Sequence, residues 1–575
     1  MGMGDLPSVV LEAAMRTAFE AAGYLPAVII PRDLLVAKTY RLLGTDNLVY
    51  FSEYLERQPD STVERLLQGI QSMRDLLEVR FDEIRVGKYA ASTLMRRTRR
   101  GHFDLSEPGQ RAELKKAVAR SLACVGAARR LLEAIRPSAV VLVDRGYSPS
   151  GELFDACIAR SIPVFTWNAA HKNNILMLKR YSAINRDVHP SSLSQESWRT
   201  LQEMQWDAAH WERVRQELVG SYASGQWYAE VGTQFNKTLM EREELIAALG
   251  LDVTKPTVAI FPHIFWDATF FWGEDLFESY EDWFVETLKV ASRNDRINWI
   301  VKVHPGNIVK DRRDGVHGEH SELVAIRRSI GELPAHIKLL PADTGISTLS
   351  LFSLIDACVT VRGTAGIEAA CFGVPVLTAG TGRYDRLGFT RDASTKEEYL
   401  SRLAALPDLP AMSEQEIEKA RRFAYGMLLC RPASLGSVRM EYQNDAVAGL
   451  KAEIMVPSQA EFLMAPDIRK IAEWINSDRE DYFLPSDSSK TTVSYHSLDW
   501  TESLVRKFWN YESQFPQHYF GYQYGANLAA IFKDLLGEKR TVLDFGCGPG
   551  FVIENLLSEC FVVAGMDSSP EAVAK

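Results

Sequence analysis

A regular alternation of strand and helix patterns between residues 257 and 377 constrains the fold of this chain most. Short apolar strand patterns, most of them separated by helical patterns, recur at residues 257–261, 299–303, 337–340, 358–361 and 374–377. Strands that alternate with helices usually pair in parallel, because each helix returns the chain to the starting end of the sheet. This part of the chain is therefore predicted to form a doubly wound α/β sheet.

The last unit of this alternation contains a glycine-rich turn. After strand 358–361 come Arg362, Gly363, Thr364, Ala365 and Gly366, followed by a helical segment. The first N–H groups of such a helix point at an anion, and glycines let the backbone turn sharply and approach it. Arg362 would add a permanent positive charge. The turn is predicted to hold the phosphate of a nucleotide sugar, and an ordinary turn before a buried helix stays open as the alternative.

An earlier pair of strand patterns indicates another α/β unit. Residues 139–143 and 162–166 are apolar, and the helical pattern between them opens at 148–152. Ligands of open α/β sheets gather at the carboxyl ends of the strands. The candidate cleft residues that follow strands in the two units are Asp144, Tyr147, Glu152, His171, His263, Asp267, Lys302 and His304. Asp267, which follows aromatic residues at a strand end, is expected to have a perturbed pKa.

Composition excludes several classes of function. The chain has 575 residues, a formal net charge of −10 and a pI near 5.7, which argue against a general nucleic-acid binder. The basic run 96–100 is expected to be a solvated helix end, with contact to a membrane surface or a polyanion as the alternative. Seven scattered cysteines without paired spacing, and no secretory or membrane-spanning pattern, predict a cytoplasmic protein, with peripheral membrane contact left open.

The end of the chain carries a separate glycine motif. Asp544, Gly546, Gly548 and Gly550 follow a strand pattern, and Asp567 ends the next strand about 20 residues after Gly546. In Rossmann-like folds an acid at this offset binds ribose hydroxyls. The motif resembles motif I of the class I S-adenosylmethionine-dependent methyltransferases, which implies S-adenosylmethionine as the ligand. Only the start of such a domain precedes Lys575, so this segment is expected not to methylate as given.

Three further segments resemble a second family. These are Phe261–Asp267, Lys302–Pro305 and Arg362–Glu368, with the His-Pro pair after a lysine-bearing strand as the most specific of them. They resemble the bacterial capsule polysaccharide biosynthesis proteins, a group that includes retaining β-Kdo transferases of the GT-B fold. Sialyltransferase-like and teichoic-acid-polymerase-like enzymes share the His-Pro pair.

The resemblance implies a function and a role for each matching residue. The donor would be a nucleotide sugar such as CMP-Kdo, and the acceptor a surface polysaccharide or a lipid-linked glycan. His304 would contact the donor phosphate, together with Arg362 or Lys302 and the turn 363–366. Asp267 would be the nucleophile of a retaining reaction, and Glu152 would be the base for the acceptor hydroxyl. His263 and Glu368 complete the expected donor site. No Asp-x-Asp pattern follows an apolar strand, so a metal-independent transferase is the simpler hypothesis.

The predicted fold class is thus α/β, with two Rossmann-like domains in the GT-B arrangement and an incomplete methyltransferase segment. The predicted boundaries are 1–250 for the acceptor domain, 251–455 for the nucleotide-sugar domain with its return helices, 456–500 for a linker and 501–575 for the methyltransferase start. Transfer of a polyol phosphate, or a non-catalytic glycan-binding scaffold for the methyltransferase, remain the alternative functions.

Overall fold

A computed structural model describes residues 6–228, 234, 237–267, 269–316, 318–441, 451–485, 501–512 and 514–567. The chain divides into two compact units, Met1–Ser486 and Asp487–Lys575. Within the described residues no helix is both long and apolar enough to cross a membrane.

The helices of the first unit are α1 (Leu6–Ala21), α2 (Leu34–Leu42), α3 (Asp60–Leu67), α4 (Met73–Leu77), α5 (Val86–Thr98), α6 (Pro108–Ile135), α7 (Ser150–Ala159), α8 (Gln195–Glu203), α9 (Ala208–Ala223), α10 (Arg242–Leu249), α11 (Tyr280–Ser292), α12 (Gly306–Asp314), α13 (Ser321–Ser329), α14 (Thr348–Phe352), α15 (Thr364–Cys371), α16 (Lys396–Ala404), α17 (Glu414–Tyr425), α18 (Gln459–Met464) and α19 (Pro466–Ile475).

Its strands are β1 (Val28–Ile30), β2 (Leu48–Tyr50), β3 (Val140–Leu142), β4 (Val164–Ala169), β5 (Ile175–Tyr181), β6 (Thr257–Ile260), β7 (Asn298–Lys302), β8 (Ile337–Leu340), β9 (Ala357–Thr360), β10 (Val376–Thr378), β11 (Arg391–Asp392), β12 (Pro432–Ser434), β13 (Val438–Glu441) and β14 (Lys451–Ile454).

Strands β6 to β11 form one parallel sheet in the order β8-β7-β6-β9-β10-β11. Every residue of β6, β7, β9 and β10 is buried, as expected for strands covered by helices on both faces. The order reverses between β6 and β9, as in doubly wound nucleotide-binding folds. This sheet and its helices, residues 257–404, are called the second lobe. The predicted α/β fold with a parallel sheet is confirmed.

The first lobe is built on a four-stranded sheet in the order β12-β5-β4-β3. Strands β3 and β4 are parallel, whereas β5 runs antiparallel to both β4 and β12. Helices α5, α6 and α7 pack together on this sheet through an apolar cluster that includes Leu142 and Val164. Helices α1 and α19 share a second apolar cluster with Phe165 and Trp167 of β4.

Two parts of the chain differ from prediction after residue 430. The nucleotide-sugar domain was expected to end at 455 with return helices, but β13 and β14 form an antiparallel pair at 438–441 and 451–454, and residues 442–450 lie outside the described part. Val438 and Met440 are buried whereas Arg439 between them is exposed, which is the alternation of a strand. The segment predicted as a linker, 456–500, begins with α18 and α19. Ile471 and Trp474 of α19 are buried in the first lobe, so this part is core and not linker. Residues 486–500 lie outside the described residues.

The second unit contains α20 (Glu502–Glu512), α21 (Phe520–Leu536), β15 (Thr541–Phe545), α22 (Phe551–Ser558) and β16 (Val562–Met566). Strands β15 and β16 are parallel and are connected through α22. The predicted strand, glycine turn, helix and strand are therefore present in this order.

Candidate functional site

A cleft of about 290 Å³ lies between the two lobes of the first unit. Its walls come from the carboxyl ends of strands in both sheets. The lining residues are Val143, Asp144, Arg145, Thr166, Asn168, His189, Pro190, His263, Asp267, Trp272, Tyr280, Arg362 and Arg383. His263 follows β6 and Arg362 follows β9, the two strands between which the sheet order reverses. Ligands of doubly wound sheets bind at this point.

Arg145 enters the cleft from the first lobe. It is 1% exposed, and its guanidinium carbon lies 4.4–4.6 Å from the ring centroids of Phe154, Tyr181 and Trp272. Its Nη2 donates to the carbonyl of Val188 at 2.9 Å. Its Nε and Nη1 are buried and have no hydrogen-bond partner among the described residues. A fixed cation therefore keeps two unused donors at this wall.

Arg362 enters the cleft from the second lobe and, like Arg145, is a buried cation with unused donors. It is 2% exposed, and its Nη2 is ion-paired with Asp275. Its Nε and Nη1 have no hydrogen-bond partner within the described part of the chain. Arg383, a third cation in the lining, donates from Nε to the hydroxyl of Ser191 at 2.9 Å. Unsatisfied buried donors are costly, so this arrangement favours an anionic ligand.

The two histidines of the cleft are neutral at neutral pH. Burial lowers the pKa of His189 well below its usual value, and the positive charges of Arg383 and Arg362 add to this effect. The same two causes, with Arg362 first among the charges, lower the pKa of His263. The His263 ring stacks on Tyr280 at 4.5 Å, and its Nε2 accepts from the backbone N–H of Arg362 at 3.3 Å. His263 therefore buttresses the start of the glycine turn.

Asp267 is held by three donors. Arg96 and Tyr147 donate to Oδ1, each at 2.7 Å, and Lys310 donates to Oδ2. Burial raises the pKa of Asp267, but the charges of Lys310 and Arg96 outweigh it and lower the pKa to about 2. The predicted perturbed carboxylate is therefore a permanent anion.

Asp144 faces Asp267 from the first lobe. Its side chain is open to the cleft, and Oδ1 accepts from the N–H of Gly146 at 2.7 Å. The surrounding protein raises its pKa, and the charge of Asp267 raises it further. Carboxylates from opposite lobes thus share one cleft.

His304 lies at the end of β7, and it is not among the residues that line this cleft. Its Nδ1 accepts from the N–H of Gly306 at 3.1 Å. Burial, with the charges of Lys310 and Lys302, lowers the pKa of His304 to about 4, while Asp267 acts in the opposite direction. The imidazole therefore belongs to the surroundings of Asp267 and Lys310, and its contact with a phosphate stays a prediction.

Lys302 and Glu368 form a buried group behind the glycine turn. They are each 3% exposed. Burial lowers the pKa of Lys302 to about 7 and raises the pKa of Glu368 to about 7. Glu368 accepts hydrogen bonds from Tyr222 and from the side chain of Thr364. The Thr364 side chain is thus hydrogen-bonded inside the protein, which differs from its expected role at a phosphate.

The glycines of the turn serve packing more than backbone freedom. Gly363 caps α15 with φ −65°, a conformation open to any residue, and Gly366 lies inside the helix beside Ala365. A Cβ on Gly366 would overlap the hydroxyl of Tyr384, which donates to the carbonyl of Gly363 at 2.8 Å. The expectation that both glycines permit a sharp turn is therefore wrong. Gly366 makes room for Tyr384.

Glu152 is not in the cleft. It is fully buried on α7, where its Oε1 accepts from the hydroxyls of Ser121 and Ser148 at 2.5 Å each. Its Oε2 has no hydrogen-bond partner among the described residues, and burial raises its pKa to about 7. His171, another candidate, is buried against Glu217 at 2.7 Å. Sequence position alone placed both residues at strand ends, but their side chains point into the protein.

The second unit has its own pocket of about 660 Å³ beside the glycine motif. Gly546, Gly548 and Gly550 have φ of 84°, 53° and 80°, values that favour glycine. Asp544 and Asp567 line the pocket, and Asp567 Oδ2 accepts from the N–H of Gly548 at 2.8 Å. Burial, and then the charge of Asp567, raise the pKa of Asp544. This geometry agrees with the motif, and its ligand stays a prediction.

Sequence reasoning missed Arg96, Arg145, Lys310 and Arg383. Arg96 lies in the basic run that was expected to be solvated. Its neighbour Arg99 pairs with Asp311, and with Asp314 at 2.7 Å. The available signal was the basic run itself, in which Arg96 lies in the last turn of α5 and Arg99 follows the helix. Arg145 directly follows Asp144 at a strand end and could have been included by the same rule.

Comparison with known proteins gives a family match for part of the chain. Residues 220–420 match the family model described as capsule polysaccharide biosynthesis protein. A search of curated proteins found no match. Among solved structures, the chain is similar to the KpsC β-Kdo 2,4-transferase of Thermosulfurimonas dismutans, with 13% identity, a TM-score of 0.32 and coverage of 57% of this chain and 87% of that chain.

Two other solved structures are similar to the same extent. The β-Kdo 2,7-transferase of KpsC from that organism has 11% identity, a TM-score of 0.28 and coverage of 60% of this chain and 89% of that chain. The UDP-GlcNAc 2-epimerase of Neisseria meningitidis, bound to UDP-GlcNAc, has 11% identity, a TM-score of 0.26 and coverage of 74% and 94%. Over residues 220–420, which include Asp267 and the glycine turn, the chain is thus similar to the capsule polysaccharide biosynthesis proteins.

Proposed function

We propose that this protein is a cytoplasmic glycosyltransferase that moves an acidic sugar from a nucleotide donor, CMP-Kdo or a similar CMP-activated sugar acid, to a polysaccharide or lipid-linked acceptor. The observation that carries the proposal is the pair of buried arginines, Arg145 and Arg362, which enter one cleft from opposite lobes with unused donors. Hydrogen bonds from a guanidinium to a carboxylate are charge-assisted and strong. Because the free Nε and Nη1 lie on different edges of each guanidinium, the sugar carboxylate would accept one hydrogen bond from each arginine.

The nucleotide phosphate would lie at the start of α15. Gly363 caps this helix without a side-chain hydrogen bond, so the first N–H groups of the helix could donate to an anion. The family match of residues 220–420 supports this placement. Leaving-group charge would be stabilised there by these N–H groups and, as the family resemblance implies, by His304.

Asp267 would attack the anomeric carbon through a carboxylate oxygen. The bond from that carbon to the phosphate oxygen breaks, and the electron pair leaves with the nucleotide. The acceptor hydroxyl then loses its proton to a base, attacks the same carbon and releases Asp267, with net retention. Asp144 lines the cleft opposite Asp267, so in our proposal it is the base, and Glu152 acts within the protein interior.

Nucleotide release from a panel of nucleotide sugars tests this proposal. Wild-type protein should release CMP from a CMP-sugar acid faster than nucleotide from any neutral-sugar donor, and Arg145→Gln should reduce this preference at least about tenfold. Asp144→Asn should slow the transfer more than Glu152→Gln. His102→Ala, an exposed histidine that does not line the cleft, serves as control beside His304→Ala. Equal rates for acidic and neutral donors would contradict the proposal.

An alternative substrate is a polyol phosphate donor, because the same two arginines would also bind a phosphate. Product mass distinguishes the two reactions, since one adds a sugar and the other a phosphodiester. Glycan binding without nucleotide release, unchanged in Asp267→Asn, would instead indicate a scaffold for the second unit. For that unit we propose S-adenosylmethionine as the ligand of the pocket beside Asp544 and Asp567.

A further inference from the structure

We propose that Arg96, Tyr147 and Lys310 are positioning residues that orient Asp267 only while the two lobes are closed on each other. This inference rests on the function proposed above, in which Asp267 meets the sugar. Arg96 and Tyr147 belong to the first lobe, whereas Lys310 and Asp267 belong to the second. Two of the three hydrogen bonds to the carboxylate therefore cross between the lobes.

The distribution of these donors leaves one reactive position. Arg96 and Tyr147 both donate to Oδ1, and within the described part of the chain Lys310 alone donates to Oδ2. A carboxylate oxygen has two lone pairs, so Oδ2 keeps an acceptor position. Arg96, Tyr147 and Lys310, together called the clamp, thus fix the plane of the carboxylate through Oδ1 and leave Oδ2 able to reach a sugar carbon.

Trp266, the residue before Asp267, contacts Arg96 and Lys310 and also Arg99. Trp266 is 4% exposed, and its ring lies 5.7 Å from the guanidinium carbon of Arg96, 5.1 Å from that of Arg99 and 5.0 Å from Nζ of Lys310. Cation–π contacts of this kind are directional and stabilising. The backbone that carries Asp267 is therefore held from both lobes.

Arg99 extends the contact to helix α12. Besides its pairs with Asp311 and Asp314, Arg99 donates to the carbonyl of Lys310 at 2.8 Å. Arg99, which follows the last residue of α5, thus holds the backbone of Lys310 in place. Opening of the lobes would remove Arg96 and Tyr147 from Asp267 and release α12 at the same time.

The first test compares Arg96→Gln and Tyr147→Phe with Arg97→Gln, an exposed neighbour in the same basic run. We expect kcat to fall about 10–100-fold in the first two variants with donor KM within about threefold, because the carboxylate loses its orientation. Loss of the Arg96 charge raises the pKa of Asp267, so the acid limb of kcat should move to higher pH in Arg96→Gln. Arg96→Lys keeps the charge and should restore the limb. An unchanged kcat and acid limb in both variants would overturn the proposal.

A second measurement needs no turnover and separates failure of this inference from failure of the proposed function. Hydrogen exchange of α12, residues 306–314, is compared in full-length wild type, Arg96→Gln, Arg99→Gln and Arg97→Gln. Faster exchange in the first two variants than in Arg97→Gln supports the clamp even if no donor is found. Equal exchange in all three variants would reject it, whatever the activity.

Discussion

Tyr147 and Asp267 are joined by a hydrogen bond of 2.7 Å between a tyrosine hydroxyl of the first lobe and a carboxylate of the second. Burial, and then the negative charge of Asp267, raise the pKa of Tyr147 well above its usual value, so the hydroxyl stays protonated and remains a donor. The bond therefore persists over the whole pH range in which Asp267 is ionised. It makes the ionised carboxylate part of the contact between lobes.

Asp267→Asn should lower donor turnover by about 10³-fold or more, since the amide has the same shape but cannot act as an anionic nucleophile. The control is Asp295→Asn, an exposed loop residue. The pKa of Asp267 is lowered to about 2, so its ionised form is complete above the usual pKa of an aspartate and is lost only as pH falls toward 2. Wild-type turnover should thus show no acid limb from Asp267 between pH 5 and 8. Full activity of the variant would exclude Asp267 from the reaction.

Glu152→Gln should make the protein more stable at alkaline pH relative to wild type. The folded-state pKa is raised from 4.5 to about 7 by burial, so the folded state binds the extra proton and wild-type stability falls as pH rises from 4.5 to 7. The full effect has an upper limit of about 3 kcal/mol. Denaturant unfolding at pH 5 and pH 8 measures it, with the exposed Glu133→Gln as control. A difference between variant and wild type that does not grow with pH would contradict the prediction.

Gly366→Ala should destabilise the second lobe by about 1–3 kcal/mol, because the new Cβ would overlap the Tyr384 hydroxyl and approach Val376 to 3.1 Å. Thermal unfolding of Gly366→Ala, of Tyr384→Phe and of the double variant tests whether this overlap is the cause. Removal of the hydroxyl should recover part of the loss, so the double variant is more stable than the sum of the single effects predicts. Strict additivity would show that the overlap is relieved in another way.

Asp481→Asn should cost about 3–5 kcal/mol, because it removes the buried negative charge that faces both Lys179 and Arg431 and leaves Lys179 paired with Glu480 alone among the described residues. Lys179 lies 2.7 Å and Arg431 3.3 Å from Oδ1. Burial raises the pKa of Asp481, but these charges outweigh it and lower the pKa to about 2. The stability that the ion pair contributes is therefore present above pH 4 and lost between pH 4 and 2. Asp478→Asn, an exposed neighbour, should unfold like wild type in the same urea titration.

Asp567→Asn should weaken binding of S-adenosylmethionine to the full-length protein about 10–100-fold, because a charged acceptor in the pocket is lost. Calorimetric titration measures this affinity, with the exposed Asp534→Asn as control. If wild-type protein binds the ligand and Asp567→Asn binds it equally well, the role of this carboxylate is wrong. No binding to wild type at all would reject the methyl-donor hypothesis for this chain.

The strands of the second lobe were predictable because each strand can be recognised from its own residues. A run such as Trp299-Ile-Val in β7 is buried on both faces, so every residue of the run is apolar and the pattern needs no partner to be recognised. The same holds for Val258–Ile260 in β6. Strand β13 was missed because one face is covered and the other is not, and an alternation over four residues is too short to exclude a helix.

The cleft was only partly predictable for a different reason. His263, Asp267 and Arg362 follow strands, and a strand end gives the position of a residue in the fold. The direction of a side chain depends on packing that no local pattern encodes. Glu152 and Asp144 are both close to the end of β3, yet the first is buried against Ser121 and the second opens to the cleft. Arg96 donates to Asp267 although the two residues are 171 positions apart in the chain.

Strand β12 joins the first lobe only after the chain has passed through the second. It pairs with β5, and the helices that follow it share a core with α1. The N-terminal half emerging from a ribosome therefore lacks one edge of its sheet and the partner of its first helix. We expect the first lobe to mature only after residue 475 has been synthesised, which makes the early nascent chain a natural client for chaperones.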